Sequence, residues 1–290
     1  MSLLYFFEIL TALLAVICCV LYKYVCRLRW RMADQCMMLG QSTFDEDIRR
    51  VAFMRALVYG EQRATPFYYF SSLKSFMKEQ PLVPFTVKAG DGTSVPVVFY
   101  NYYIPSRYLK FASEQQKAFV EIVWMWKDKG KTSCFNKFDE CIKALNIKGV
   151  PTVIFMPTSK EKSNYSRYGR LAYKMKESGR YNPELNSVTY LHDRDSKHTS
   201  HDRSTIDSVS NIVVSPAIYG KECVLVDDIC TSGASIRDHV EELRRYDVKV
   251  IGVVCLGRTV EYTKDSRMIY RTALQESNLT TMEKILNLIC

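Results

Sequence analysis

The chain opens with an almost continuously apolar stretch. From Ser2 to Tyr22 the one charged residue is Glu8, and the central run LTALLAVICCVLY carries no charge. A helix of this length can cross the hydrocarbon layer of a membrane. Four basic residues follow directly: Lys23, Arg27, Arg29 and Arg31. The positive-inside bias then predicts a single-pass anchor with its N-terminus outside and the rest of the chain in the cytoplasm.

Two other interpretations of this stretch stay open. A cleaved signal peptide has basic residues before its apolar run and small residues at a cleavage site after it, and here the basic residues come afterwards. A buried amphipathic helix is the plainer alternative. Length and flanking charge favour the membrane anchor.

The next segment has the spacing of helices and then of a hairpin. In FDEDIRRVAFMRALVYGEQ the apolar residues recur every three or four positions, which predicts a helical connector between Arg31 and about Pro81. Alternating residues around a Gly-Asp-Gly turn then predict a β-hairpin of Phe85 to Ala89 and Val95 to Tyr103.

Beyond the hairpin, helical patterns alternate with short apolar runs. Helices are predicted at 113–128, 132–145, 168–178 and 235–246, and strands at GVPTVIFMP, 187–191, 222–226 and 248–255. This alternation predicts an α/β fold, a parallel sheet with helices on both faces, preceded by a transmembrane helix and a helical connector. The predicted boundaries are 1–30 for the anchor and its basic flank, 31–80 for the connector, 81–262 for the sheet domain and 263–290 for a C-terminal extension.

Composition changes this picture little. With 47% hydrophobic and 24% charged residues, the 290-residue chain is of globular rather than disordered type. The net charge of +9 includes the juxtamembrane cluster, which suits an anionic inner leaflet, and the remaining charge supports a weak phosphate-binding bias without a nucleic-acid motif.

Ten cysteines occur without any CxxC pair, so a zinc ribbon is not expected, and in the cytoplasm the thiols would stay reduced. His192, His198 and His201 lie in a polar stretch at spacings that fit no metal site.

The residues that suggest chemistry are CVLVDDICTSGASI, 223–236. Asp227 and Asp228 stand at the end of a predicted buried strand, where a doubly wound sheet binds its ligands. The following helix N-terminus presents amide hydrogens, and Gly233 lets an anion approach the backbone. Thr231, Ser232 and Ser235 add hydroxyl groups. An ordinary strand-to-helix turn with a Ser or Thr cap is the simpler alternative.

The segment VLVDDICTSGAS resembles the phosphoribosyl pyrophosphate (PRPP) motif of type I phosphoribosyltransferases over all its positions. The resemblance implies that Asp227 and Asp228 hold the ribose hydroxyls and contact a metal ion, most simply Mg²⁺. It implies that the 5′-phosphate binds the loop of Thr231, Ser232, Gly233, Ala234 and Ser235. The domain 81–262 is then phosphoribosyltransferase-like.

A second resemblance is to the competence protein F branch of that family. FMPTSKEKSNYSRYGRLAYKMKES looks like its strand, pyrophosphate loop and helix, and RDSKHTSHDRSTIDSVSNIVV like its later basic and hydroxyl-rich segment. The resemblance implies that Thr158, Ser159 and Lys160 face the pyrophosphate and that Lys197 lies on a loop that closes over the site, for which a plain solvated loop is the equal alternative. That branch usually carries a zinc ribbon, and this chain has a membrane segment instead.

The predicted function is thus a membrane-anchored phosphoribosyltransferase that transfers the phosphoribosyl group of PRPP, with Mg²⁺, to a nitrogenous acceptor that the sequence does not identify. Two alternatives stay open. One is a sensor that binds PRPP or nucleotides without turnover, and the other is an effector in competence, DNA uptake or phage defence, by fold analogy alone. The expected partners are PRPP, the acceptor and the membrane, with a homodimer possible.

Overall fold

A computed structural model describes residues 3–90, 92–130, 133–158, 161–191, 212–263 and 265–277 of the chain. The helices are α1 (Leu3–Ser42), α2 (Glu46–Val58), α3 (Ala64–Ser71), α4 (Leu73–Phe76), α5 (Glu114–Lys129), α6 (Phe135–Ala144), α7 (Glu161–Glu177), α8 (Ala234–Arg244) and α9 (Ser266–Glu276). The strands are β1 (Phe85–Lys88), β2 (Ser94–Tyr103), β3 (Thr152–Phe155), β4 (Asn182–Pro183), β5 (Val188–Tyr190), β6 (Ile212–Val214), β7 (Glu222–Cys230) and β8 (Lys249–Thr259).

The described residues form two units. The helical unit lies within Met1–Phe76, Lys110–Glu114 and Glu261–Cys290. The sheet unit lies within Met77–Leu109 and Gln115–Val260.

In the helical unit, the apolar N-terminal stretch forms the first part of one long helix. Within Phe7–Ser42, α1 is long and apolar enough to cross a membrane. The mean hydropathy of its most apolar 18-residue stretch is 2.3, and none of that stretch is buried inside the protein. A core helix of a soluble protein would bury that window. Length and composition therefore permit a membrane span, although they give no orientation.

The second half of α1 packs on α2. Ala33 and Met37 are buried, and Arg29 donates to the carbonyls of Val58 (3.1 Å) and Tyr59 (3.0 Å). A guanidinium at this place satisfies carbonyls at the C-terminal end of α2 and complements the negative end of its dipole. One member of the predicted juxtamembrane cluster thus has a structural role.

Glu276 of α9 joins three elements of the same unit. Its carboxylate accepts hydrogen bonds from Arg50 (2.9 Å), Tyr68 (2.9 Å) and Ser75 (2.7 Å). The carboxylate thereby links α9 to α2, α3 and α4, while aromatic rings such as Phe53 and Phe67 stack in the interior.

The sheet unit contains a six-stranded sheet in the order β1-β2-β8-β7-β3-β4. The predicted hairpin is confirmed, because β1 pairs antiparallel with β2, and the pairs further along the sheet are parallel. Val224 and Val226 of β7 face a core formed with α5, α6 and α7. The intervening Leu225 points to the opposite face, and α8, which contacts β1 and β8, buries Ile236, Val240 and Leu243. The predicted α/β fold with helices on both faces of a mostly parallel sheet is therefore confirmed.

Three strands differ from prediction. The strand predicted at 248–255 is β8, which continues to Thr259. The strand predicted to end at Val226 runs on to Cys230, because pairing with β8 continues as Asp227 opposite Cys255 and Cys230 opposite Arg258. The strand predicted at 187–191 does not join the main sheet. It forms β5, which pairs antiparallel with β6 in a separate two-stranded sheet.

Candidate functional site

The two acids of the motif lie inside β7 rather than after it. Asp227 and Asp228 are 8% and 9% exposed. Each accepts the backbone amide of the next residue at 2.7 Å: Asp227 from Asp228 and Asp228 from Ile229. The sequence motif therefore places two carboxyl groups at the carboxyl end of a central strand, and both are nearly buried.

Asp228 is held by two cations from neighbouring helices. Its Oδ2 lies 3.0 Å from Lys127 Nζ of α5 and 3.3 Å from Arg167 Nη1 of α7. The side chains of Lys127 and Arg167 are 26% and 18% exposed, so water screens these ion pairs less than pairs on the surface. Sequence reasoning missed both cations.

The same surroundings move the pKa values of the two acids in opposite directions. Burial raises the pKa of Asp227 well above its usual range, and the adjacent charge of Asp228 adds to the rise. Burial alone would also raise the pKa of Asp228, but Lys127 and Arg167 outweigh it and lower that pKa below the ordinary value. Asp227 therefore favours its neutral form and Asp228 its charged form.

Large buried rings fix the two helices that carry these cations. Trp126 precedes Lys127, Tyr168 follows Arg167, and both rings are fully buried, 5.5 Å apart in an edge-to-face contact. At the end of α5, Gly130 has a positive φ of 54°, and a Cβ there would lie 2.0 Å from the carbonyl oxygen of Ser166. Glycine thus permits the close approach of α5 to α7 that brings both cations to Asp228.

The loop after β7 is a tight turn into α8. Thr231 Oγ1 hydrogen-bonds Thr259 Oγ1 of β8 at 2.9 Å, and Ser232 Oγ accepts the amide of Ala234 at 3.3 Å. Gly233, with φ of 81°, is the N-cap of α8 and brings no side chain to cap it. A Cβ at Gly233 would meet Val87 at 3.0 Å. This local geometry suits an anion at the helix N-terminus.

A cavity of about 350 Å³ lies at this turn. Its wall includes Ser232, Gly233 and Ala234 of the motif, together with three cations from β1, α8 and β8 that sequence reasoning missed: Lys88, Arg237 and Arg258. Arg258 is the most enclosed of them, with a side chain 16% exposed, 3.8 Å from Glu79 and 3.6 Å from Cys230 Sγ. Its buried Nε has no hydrogen-bond partner among the described residues. The volume and the positive charge suit a small phosphorylated ligand.

Thr158, expected in the pyrophosphate loop, lies beyond the end of β3, next to β7. Met156 donates to the carbonyl of Val226 at 2.8 Å, which sets the two strand ends side by side. Thr158 is buried, and its amide (2.8 Å) and hydroxyl (2.7 Å) both donate to Asn164 Oδ1. Its amide is therefore used within the protein, whereas the expectation was that it faces a leaving group. Ser159, Lys160 and Lys197, and the three histidines of the polar stretch, lie outside the described residues.

His239, which the sequence analysis did not single out, connects α8 to the two-stranded sheet. His239 is 4% exposed; its Nδ1 lies 2.8 Å from the carbonyl oxygen of Ser235, and its Nε2 lies 3.1 Å from the hydroxyl of Tyr190. Because a carbonyl only accepts, Nδ1 carries the hydrogen, and in the neutral ring Tyr190 donates to Nε2. His239 thus fixes the first turn of α8, which includes Ser235.

The carboxyl oxygens of Asp227 and Asp228 do not fit direct coordination of Mg²⁺. One oxygen of Asp228 accepts a backbone amide and the other faces two cations, and Asp227 Oδ1 accepts the amide of Asp228. Among the described residues, no group of three or more His, Cys, Asp or Glu side chains is arranged to hold a metal ion. Mg²⁺ in proteins usually takes one or two carboxylate oxygens and keeps several waters, and here both oxygens of Asp228 already have partners.

Comparison with known families bears on the motif itself. Residues 170–285 match the phosphoribosyl transferase domain. The match includes Asp227, Asp228 and the 231–235 loop, and it begins after Thr158 and Arg167. It supports the type I phosphoribosyltransferase family and phosphoribosyl transfer as the general chemistry. No curated protein is significantly similar to the chain.

Proposed function

We propose that this protein is a membrane-anchored phosphoribosyltransferase that binds PRPP at the carboxyl end of β7. The observation that carries the proposal is the cavity at the N-terminus of α8, lined by Ser232, Gly233 and Ala234 together with Lys88, Arg237 and Arg258. The phosphoribosyl transferase match, which includes Ser232, Gly233, Ala234, Arg237 and Arg258, supports the same conclusion.

In this proposal the phosphate of the ligand binds the amides of the 231–235 turn. Arg237 and Arg258 add positive charge beside that turn. The sugar lies toward Asp227 and Asp228, whose oxygens accept its hydroxyls. During transfer the bond from C1 to pyrophosphate breaks, the electron pair leaves with pyrophosphate, and a nitrogen nucleophile attacks C1. The carboxylate of Asp228, the charged acid of the pair, stabilises the positive charge that develops on the sugar.

Ser159, Lys160 and Lys197 stay predictions for the pyrophosphate loop and the closing loop. Membrane anchoring by α1, with the domain in the cytoplasm, belongs to the proposal and is supported by the length and apolar composition of that helix. The kinship with the competence protein F branch, which rests on the sequence resemblance, and a homodimer are further parts of the proposal. The resemblance also implies Mg²⁺ beside PRPP, which the residues at the acid pair do not fit.

The deciding experiment measures binding and turnover separately. The full chain in detergent micelles is titrated calorimetrically with PRPP and with ribose 5-phosphate, and release of pyrophosphate is then followed with PRPP, Mg²⁺ and a panel of nucleobases and ammonia. We expect both ligands to bind and one acceptor to give steady release. Failure of both ligands to bind, with the protein folded, would refute the proposal.

A matched pair of arginines tests the phosphate position. Arg237 lines the cavity, whereas Arg245, just after α8, has a side chain that is 70% exposed and pairs with Glu242. Arg237→Gln is expected to weaken ribose 5-phosphate binding by about tenfold, since one charge-assisted contact is lost. Arg245→Gln is expected to leave the Kd unchanged. Equal effects of the two substitutions would contradict this position for the phosphate.

The sensor is the second candidate, and one observation favours it. Both oxygens of Asp228 already have partners within the protein, so a sugar must displace or share them. Under this alternative PRPP binds tightly while pyrophosphate release stays at the uncatalysed rate with every acceptor. The same titration and release assays therefore distinguish the two candidates.

A further inference from the structure

The unusual feature of the site is the position of Lys127 and Arg167. Both reach Asp228 Oδ2 from helices on the same face of the sheet, at 3.0 and 3.3 Å. Asp228 Oδ1 accepts the amide of Ile229 at 2.7 Å. A guanidinium offers five N–H donors and an ammonium three, so the two cations have more donors than one carboxylate oxygen can accept.

The helix positions that carry these two cations are fixed by the core. Their neighbours in sequence, Trp126 and Tyr168, are fully buried in the core under the sheet. The contact of Gly130 with the backbone at Ser166 fixes the approach of α5 to α7. Positive charge is therefore held at this end of β7 before any ligand arrives.

The local charge balance disfavours a divalent cation. With both acids ionised, the charges of Asp227, Asp228, Lys127 and Arg167 sum to zero. A zero balance gives Mg²⁺ no net attraction, whereas the surplus N–H donors of Lys127 and Arg167 suit an anion with several oxygens.

The segment predicted to face the leaving group directly precedes α7, the helix that carries Arg167. Arg167 belongs to α7, which follows the segment of Thr158, and the ends of β3 and β7 are adjacent through the hydrogen bond from Met156 to Val226. The 5′-phosphate cavity is lined by a different set of residues, from β1, α8 and β8, to which neither Lys127 nor Arg167 belongs. The two sets of cations are therefore distinct: Lys127 and Arg167 on α5 and α7, and Lys88, Arg237 and Arg258 at the cavity.

We propose that Lys127 and Arg167 bind the pyrophosphate of the ribosyl ligand beside Asp228, so that binding requires no divalent cation. This inference rests on the proposed function. It differs from a metal-bridged site, in which the same acids would need Mg²⁺ to hold the ligand. Here the protein supplies the positive charge from α5 and α7.

The test compares PRPP, pyrophosphate and ribose 5-phosphate as calorimetric titrants of the full chain in micelles, in EDTA and in Mg²⁺. We expect the Kd for PRPP to agree within about threefold between the two conditions. A threefold change in Kd is smaller than the loss of one charge-assisted hydrogen bond would cause. PRPP binding in Mg²⁺ that is lost in EDTA would overturn the inference and leave the proposed function standing. No PRPP or ribose 5-phosphate binding in either condition would overturn both.

Substitutions test whether Lys127 and Arg167 are the residues that bind the pyrophosphate. Lys127→Gln and Arg167→Gln, each alone, are expected to weaken PRPP and pyrophosphate binding in EDTA about tenfold or more while leaving ribose 5-phosphate unchanged. Lys249→Gln is the matched control, because Lys249 pairs with Glu222 at the opposite end of β7 and β8. Unchanged pyrophosphate affinity in both variants would refute the assignment. Should either variant fail to fold, the EDTA comparison on the unmodified protein still decides the matter.

Discussion

At the scale of single residues, environment separates two adjacent acids that the sequence presents as equals. Burial raises the pKa of Asp227, whereas the ion pairs with Lys127 and Arg167 outweigh burial at Asp228 and lower its pKa. Such opposed shifts are typical of functional sites, although structural ion pairs produce them too. The paired acids are tolerated at low exposure because only one of them needs to carry charge.

The two acids should therefore contribute oppositely to stability as pH changes. Asp228, with its lowered pKa, stabilises the fold above the unfolded value of about 4 and loses that contribution as pH falls through its folded pKa. Asp227, with its raised pKa, favours the fold at low pH and loses that contribution as pH rises toward its folded pKa. The net pH dependence is the sum of these opposed effects.

We expect Asp227→Asn to gain stability relative to the unmodified protein between pH 5 and pH 7, by up to about 1.4 kcal/mol for each pH unit. Asp228→Asn should be destabilised at pH 7 by about 2 kcal/mol, because Lys127 and Arg167 lose their counter-charge while partly buried. Urea unfolding of both variants and of the unmodified protein at pH 5 and pH 7 measures these differences in the free energy of unfolding. Asp238→Asn, an exposed acid of α8, serves as the control, and a pH-independent difference for Asp227→Asn would contradict the argument.

At the scale of elements, the site depends on how closely helices approach one another and the sheet. Glycines mark two of these places. Gly233 turns the chain from β7 into α8 beside Val87, and Gly130 lets α5 reach the backbone of α7. Elsewhere large aromatic rings fill the space between the helices and the sheet: Trp126, Phe155 and Tyr168 pack beneath the two acids.

Gly130→Ala should be more destabilising than an ordinary glycine substitution. The positive φ costs about 1 kcal/mol, and overlap of the new Cβ with the Ser166 carbonyl adds about 2 kcal/mol more. Gly179→Ala is the matched control, because Gly179 has a similar φ of 65° and no atom within 4 Å of the added Cβ. Denaturant midpoints and m-values measure the difference. Equal losses would show that α5 can move aside without cost.

At the scale of the whole molecule, one chain combines a helix suited to a membrane with a sheet unit suited to a phosphorylated ligand. The apolar window of α1 stays unburied, while Ala33 and Met37 further along the same helix are buried in the helical unit. A continuous helix therefore links the proposed anchor to folded protein without a flexible linker.

If α1 spans a bilayer, the full chain should stay with the membrane fraction after alkaline carbonate extraction. Leu13→Arg combined with Val16→Arg should release most of it, because each arginine at the centre of a span costs about 3 kcal/mol of insertion. Val150→Arg, at an exposed site of the sheet unit, should have no effect. Extraction of the unmodified chain by carbonate would contradict the anchor.

Much of the fold could be predicted from local pattern. The apolar run of α1, the hairpin around the Gly-Asp-Gly turn and the alternation of helices with buried strands each follow from short-range spacing. The strand that ends in Asp227 and Asp228 was predicted too short, because acids are poor strand formers and pairing with β8 overrides that preference. The strand at 187–191 was predicted correctly as a strand but assigned to the wrong sheet, since its partner β6 lies far along the chain.

The cations of the site were missed for a related reason. Arg167 is spaced four residues before the buried Leu171, and Lys127 four residues after the buried Val123, so each lies on the apolar side of its helix. That spacing was the signal available in the sequence. It shows that a charge lies near the core, but it does not identify the acid that it meets.

The sequence by itself determined the elements and the motif, since apolar periodicity and a twelve-residue pattern of acids, hydroxyls and glycine are properties of neighbouring residues. The tertiary structure alone decided which acid is charged, which cations surround it and which residues line the cavity. Those features depend on side chains that lie tens of residues apart in the chain and meet only when α5, α7, α8, β1 and β8 pack around β7.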